Sequence, residues 1–167
     1  AASDVYKRQV CAKMNHMSYI DGTGTVVWEI DTAIVDPILK VDGNYILIAE
    51  KGRNKICLYI DNKLQYDVDD PDTVMSAELS SNGDVVVVTD KSSYRGGISV
   101  YNKSGEQIFS WASGSDAVIC ADISAASRSV AVALLNSDVT AKTTVQLFNV
   151  NETESYAKIE MPDTVVY

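Results

Sequence analysis

The sequence repeats itself at intervals of 40 to 47 residues, and that period restricts the fold more than any other feature. Residues 34–43, 74–83 and 118–127 align as three copies of one run, offset by 40 and then 44 residues. The first two copies end in Asp42-Gly43 and Asn82-Gly83, turn dipeptides that tolerate positive φ. The third has Ser127-Arg128 instead, so a different turn is expected there. A solid apolar run follows each turn: residues 45–49, 85–88 and 130–135. Continuous apolar strands are those buried on both faces. A third strand then ends in an aromatic residue, and Tyr19, Tyr59, Tyr101 and Phe148 are spaced by 40, 42 and 47 residues. A polar turn and an outer strand (residues 64–68, 107–111 and 156–161) close each unit.

Four strands in roughly 40–45 residues is the period of a β-propeller blade. The sequence therefore predicts an all-β chain: a β-propeller fragment of three four-stranded antiparallel blades, with partial blades at both ends. A β-sandwich also has regularly spaced strands, but it does not require self-similarity at this period. Tyr19 to Trp28 is expected to supply the last two strands of a preceding blade. Pro71-Asp72-Thr73-Val74 opens one repeat, and Pro162-Asp163-Thr164-Val165 recurs two repeats later. Tyr167 is thus expected to be the third residue of a further innermost strand. Residues 1–9, AASDVYKRQ, resemble adapter-derived sequence and are set apart from the fold. Residues 10–167 are read as one partial propeller domain, truncated at both ends.

Composition narrows the function classes. The net charge of −9 disfavours non-specific binding to nucleic acid or anionic lipid, which needs excess Lys and Arg. No apolar run approaches the ~18–20 residues that span a bilayer as a helix. A membrane anchor preceding the fragment stays open. The three cysteines, Cys11, Cys57 and Cys120, lack metal-ligand spacing and are read as small hydrophobes.

The segment Tyr19-Ile20-Asp21-Gly22-Thr23-Gly24-Thr25-Val26-Val27-Trp28 is similar to the Asp-x-x-x-Gly-x-x-x-Trp signature of quinoprotein-type propeller repeats, with Asp and Gly one residue closer. In the copy at residues 101–109 Gly105 is kept, and Phe109 stands in the Trp position. Residues 17–167 as a whole resemble an uncharacterised β-propeller family of anaerobic Gram-positive bacteria with quinoprotein-like or WD40-like repeats. That resemblance implies an extracellular or membrane-anchored location at the cell envelope. It implies no activity.

Candidate chemistry is sparse. His16 is the only histidine, which rules out a site with two His ligands. Asp67, Asp69, Asp70 and Asp72 form the sharpest polar cluster, and oxygen ligands suit Ca²⁺. The preferred reading is a solvated strand end and turn, since no Gly-containing EF-type loop spacing is present, and calcium is the alternative. Trp28 and Trp111 are assigned to packing between blades. The innermost strands offer Asp36, Glu78 and Asp122, with no cationic partner expected beside them. No catalytic, cofactor-binding or metal-binding residue and no cofactor is assigned. The loops after each second strand and between blades are expected to share one face, with Lys51, Arg53, Lys91, Tyr94, Arg95 and Lys142 among acids. The leading expectation is a non-catalytic binding or scaffolding module at the envelope, with a protein or cell-surface ligand on that face and no nucleic acid. The rival is part of a propeller enzyme, a quinoprotein-like oxidoreductase or a hydrolase, whose site lies in missing blades.

Overall fold

In a computed structural model of the chain, residues 9–13, 16–31, 33–126, 128–136 and 142–162 are described. They form strands and turns arranged as four antiparallel sheets in chain order. The first sheet has three strands: β1 (Gln9–Lys13), β2 (His16–Ile20) and β3 (Val26–Asp31). The second is β4 (Pro37–Asp42), β5 (Tyr45–Glu50), β6 (Lys55–Ile60) and β7 (Lys63–Asp69). The third is β8 (Thr73–Leu79), β9 (Val85–Asp90), β10 (Gly97–Tyr101) and β11 (Gln107–Ala112). The fourth is β12 (Ala117–Ile123), β13 (Ser129–Asn136), β14 (Lys142–Asn149) and β15 (Ser155–Pro162). Three sheets are thus full four-stranded blades of a β-propeller fragment, as the period predicts. The first is more complete than expected, because β1 pairs with β2 and supplies the second-strand position as well. Residues 163–167, and with them the expected next innermost strand, lie outside the described residues.

The turns follow from residue type. Gly43 and Gly83 adopt φ of 58° and 85°, as their dipeptides predict. In the third copy Arg128 itself takes φ of 50°, so a non-glycine residue makes the left-handed step. Asp61 and Asn62 are both at positive φ between paired Ile60 and Lys63. That is the two-residue hairpin turn whose twist matches its strands.

Each sheet has one bulge between its last two strands: before Ile20, Tyr59, Tyr101 and Phe148. This corrects the aromatic register in the first sheet. The equivalent of Tyr59 is Ile20, and Tyr19 points to the opposite face. The innermost strands also shift. Only Gly43 and Asn44 separate β4 from β5, whereas Ser80 to Asp84 separate β8 from β9. The residue equivalent to Glu78 and Asp122 is therefore Lys40, two places beyond the Ile38 that the linear repeat suggests.

Three apolar layers join the sheets. Met17, Tyr19 and Trp28 pack on Ile46, Ile48 and Tyr59. Leu47, Leu58 and Tyr66 pack on Val74, Val87 and Tyr101. Val86, Ile98 and Phe109 pack on Val130, Val132 and Phe148. Complete burial of Leu58 alone is worth about 1.5–3 kcal/mol. Aromatic rings meet in the first and third of these layers. Trp28 meets Tyr59 edge-on with centroids 4.8 Å apart, and Phe109 and Trp111 lie 5.7 and 5.0 Å from Phe148. The two tryptophans thus pack between sheets, as the repeat predicts.

Candidate functional site

Two surfaces carry polar side chains on rigid supports: the loops between second and third strands, and the inner wall formed by β4, β8 and β12. On the loop side, Arg53 and Arg95 are structural equivalents. The Arg53 carbonyl accepts from Val74 N–H at 2.6 Å, and the Arg95 carbonyl accepts from Val118 N–H at 3.2 Å. Each loop is thereby tied to the start of the next sheet's innermost strand. Beside each attachment that strand bulges, between Val74 and Ser76 and between Val118 and Cys120. Both arginine side chains are exposed, and neither guanidinium has an ion-pair partner among the described residues. Lys51 and Tyr94 are also exposed on these loops, whereas Lys91 pairs with Asp72 at 3.3 Å. Lys142 pairs with Glu160 at 2.7 Å, and residues 137–141 of the fourth sheet's loop lie outside the described residues.

On the inner wall, Lys40 Nζ donates to Glu78 Oε1 at 2.6 Å, bridging the second and third sheets. This overturns the expectation that no cation stands beside the innermost acids. The register shift described above hid the pair, since it aligned Ile38 with Glu78. Asp122 occupies the same position in the fourth sheet and is exposed. Half-buried Cys120 lies two residues before it. Burial raises the Cys120 thiol above its ordinary value, helped by the negative charges of Asp122 and Glu78. Asp36 precedes β4 and is exposed.

The acidic cluster is divided among separate partners. Asp67 and Asp69 face Lys55 on the sheet surface, at 2.6 and 3.7 Å. Asp70 is buried and accepts from the Tyr101 hydroxyl at 2.7 Å and from Asp72 N–H at 2.8 Å. Asp72 turns to Lys91. Among the described residues no three His, Cys, Asp or Glu side chains come together as metal ligands. His16 is placed in β2, where it bonds Asp31 at 2.9 Å and approaches Glu29 at 3.4 Å. The bond to Asp31, then that to Glu29, raises its pKa above the ordinary value. Cys57 is buried, and desolvation pushes its thiol up to about 12, while Cys11 is exposed.

Besides the Lys40–Glu78 pair, sequence reasoning missed two features. One is the Asp70–Tyr101 pair, which joins residues 31 positions apart. The other is a cleft of about 390 Å³ between the first two sheets, lined by Tyr19, Asp21, Asn44, Asp61 and Asn62. Its carboxylates are already engaged. Asp21 accepts from Thr23 and Thr25, with the Thr23 hydroxyl holding it below the usual range, and Asp61 accepts from Asn44.

Comparison with solved structures agrees with this architecture at the level of fold. The chain is similar to a protein described as a complex of KlAtg21 with the coiled-coil of AgAtg16 (TM-score 0.67, 15% identity, 93% of this chain and 52% of that one). It is also similar to the C-terminal WD40 domain of Sif2 (0.58, 14%, 83% and 40%) and to BamB from Moraxella catarrhalis (0.54, 11%, 97% and 49%). The chain spans about half or less of the length of each. No curated protein matches the sequence. Residues 6–166 match a family profile described as a family of unknown function, DUF5711. That match covers nearly the whole chain, and the protein belongs to the DUF5711 family.

Proposed function

We propose that this chain is part of a non-catalytic propeller that binds or scaffolds a protein partner through its loop face. The observation that carries the reading is the repetition of Arg53 and Arg95. Both are cations without an ion-pair partner among the described residues, and backbone bonds to the next sheet hold them at equivalent places. The backbone bonds fix where each arginine leaves the loop, and two exposed guanidiniums at equivalent places suit a partner with matching acidic or carbonyl groups. A cell-envelope location enters this reading only from the family resemblance drawn from the repeats.

The test is affinity capture with the paired reversal Arg53→Glu and Arg95→Glu, followed by crosslinking and mass spectrometry. A control reverses Lys63, the first residue of β7, and Lys103, in the turn between β10 and β11. Loss of two contacts is expected to weaken capture roughly tenfold or more, a change of at least about 1.4 kcal/mol. The control should leave capture unchanged. Undiminished capture by the paired reversal, with the circular dichroism spectrum intact, would refute the assignment of the loop face.

A further inference from the structure

The fourth sheet leaves partly open a face whose counterparts in the second and third sheets are covered, although its Ala133 is buried. Antiparallel partners share a face, so register defines the equivalence. On the third sheet the forward face consists of the pairs Glu78–Val86, Val88–Ile98 and Val100–Phe109. All its apolar members lie buried under the fourth sheet. On the second sheet the pairs are Lys40–Leu47, Ala49–Ile56 and Leu58–Tyr66, and their apolar members lie buried under the third. On the fourth sheet the same positions are Asp122–Ala131, Ala133–Val145 and Leu147–Ala157. Two open clefts of about 330 and 240 Å³ lie over this face. Ile159, equivalent to Trp111, is 49% exposed beside them.

We propose that this face is an inter-blade interface, and that its occupant is a further blade of the same polypeptide whose innermost strand presents Lys or Arg to Asp122. Three observations select that occupant. First, the face continues, pair by pair, two of the interfaces already formed. Second, Ala157 stands where Trp28, Tyr66 and Phe109 supply bulk, which leaves room for a large aromatic on the incoming blade. Third, Lys40 and Glu78 form an ion pair across the second and third sheets at this inner-wall position, whereas Asp122 has the acid Glu78 as its equivalent on the sheet before it. Glu78 is engaged by Lys40, so the base that would balance the exposed Asp122 carboxylate has to come from the next strand. A second copy of this chain fits poorly. Its free outer face, on the first sheet, carries His16, Ser18 and Glu29 and has no innermost strand among the described residues. The sequence itself repeats at residues 162–165 the Pro-Asp-Thr-Val that leads into β8.

The interface is tested by extending the chain. Residues 1–161 are followed by a second copy of residues 71–112, a blade whose rear face already packs on a neighbour. One version keeps Glu78 in the appended copy, and the other carries Glu78→Lys there. The expected result with Glu78→Lys is one cooperative melt, with Tm raised by roughly 5 °C or more. Hydrogen exchange across β13 and β14 should slow. The Glu78 version should gain less, and Asp122→Lys in the parent sequence should reverse that order. Leu147→Asp should abolish the gain in the extended chain while changing the 167-residue chain little. A separate second transition with unchanged exchange in β13 and β14 would overturn the interface. Equal gains from both charges would overturn the basic partner for Asp122. A stable dimer of the 167-residue chain already protecting β13 and β14 would assign the face to a second copy and overturn the proposed occupant.

Discussion

At the scale of single residues, two buried tyrosines facing the same inter-sheet layer have different energetics. Tyr101 donates to Asp70, a carboxylate that is 1% exposed and whose other oxygen accepts from Asp72 N–H. A buried charge persists only when it is paired or hydrogen-bonded. Tyr66 is equally buried, but its hydroxyl has no hydrogen-bond partner among the described residues. Tyr101→Phe should therefore cost about 1–3 kcal/mol, since it strands part of the Asp70 carboxylate, and Tyr66→Phe should be neutral or slightly stabilising. Urea denaturation of the two variants measures the contrast. The alkaline limb gives a second readout. Burial, and then the bond to Asp70, raises the Tyr101 phenol above its ordinary value of 10.0. Its contribution is complete below that value and is lost as pH rises above it, because the unfolded chain releases the proton first. Tyr101→Phe should accordingly flatten the fall in stability above pH 10. None of this was visible in the sequence, where Asp70 looked like one member of an acidic turn. Its partner lies on a different blade, 31 residues away.

At the scale of elements, the strands and their order were legible because the apolar runs and turn residues recur. The registers were less so. Connections of unequal length move residues by one or two places without disturbing the overall period, while the bulge that recurs at one place in every sheet marks the true register. Ile20 replaces Tyr19 in the aromatic position, and Lys40 replaces Ile38 beside Glu78, for that reason. Equivalent turns also differ in what surrounds them. Asp21 and Asn102 each open a turn by accepting backbone N–H bonds, and each turn has a glycine three residues on. Gly24 and Gly105 take φ of 85° and 82°. A Cβ on Gly24 would meet nothing within 4 Å, but one on Gly105 would lie 2.9 Å from the Tyr66 ring. Gly24→Ala should cost about 1–2 kcal/mol from backbone strain alone. Gly105→Ala should cost more, because Tyr66 is held in the inter-sheet layer and cannot easily yield. Thermal melts of the two variants compare the positions directly, and equal losses would show that Tyr66 moves freely.

At the scale of the whole molecule, the described chain is a row of four sheets in which each inter-sheet layer joins adjacent members. Such arrays behave approximately as nearest-neighbour systems, with stability divided between units and interfaces. The fourth sheet is then held by the layer around Phe148, which is 1% exposed and touches both Phe109 and Trp111. Removing that ring should cost about 3–5 kcal/mol, the range for a buried Phe→Ala change. In a uniformly cooperative domain the loss would appear in the protection of every strand. In a row it should concentrate in the last sheet, because the layers on either side of the second sheet make no contact with Phe148. Native-state hydrogen exchange of Phe148→Ala should therefore show faster exchange in β12–β15, a smaller change in β8–β11 and nearly unchanged rates in β4–β7. Uniform acceleration in all four sheets would mean that the blades unfold as one unit, and that coupling extends beyond nearest neighbours.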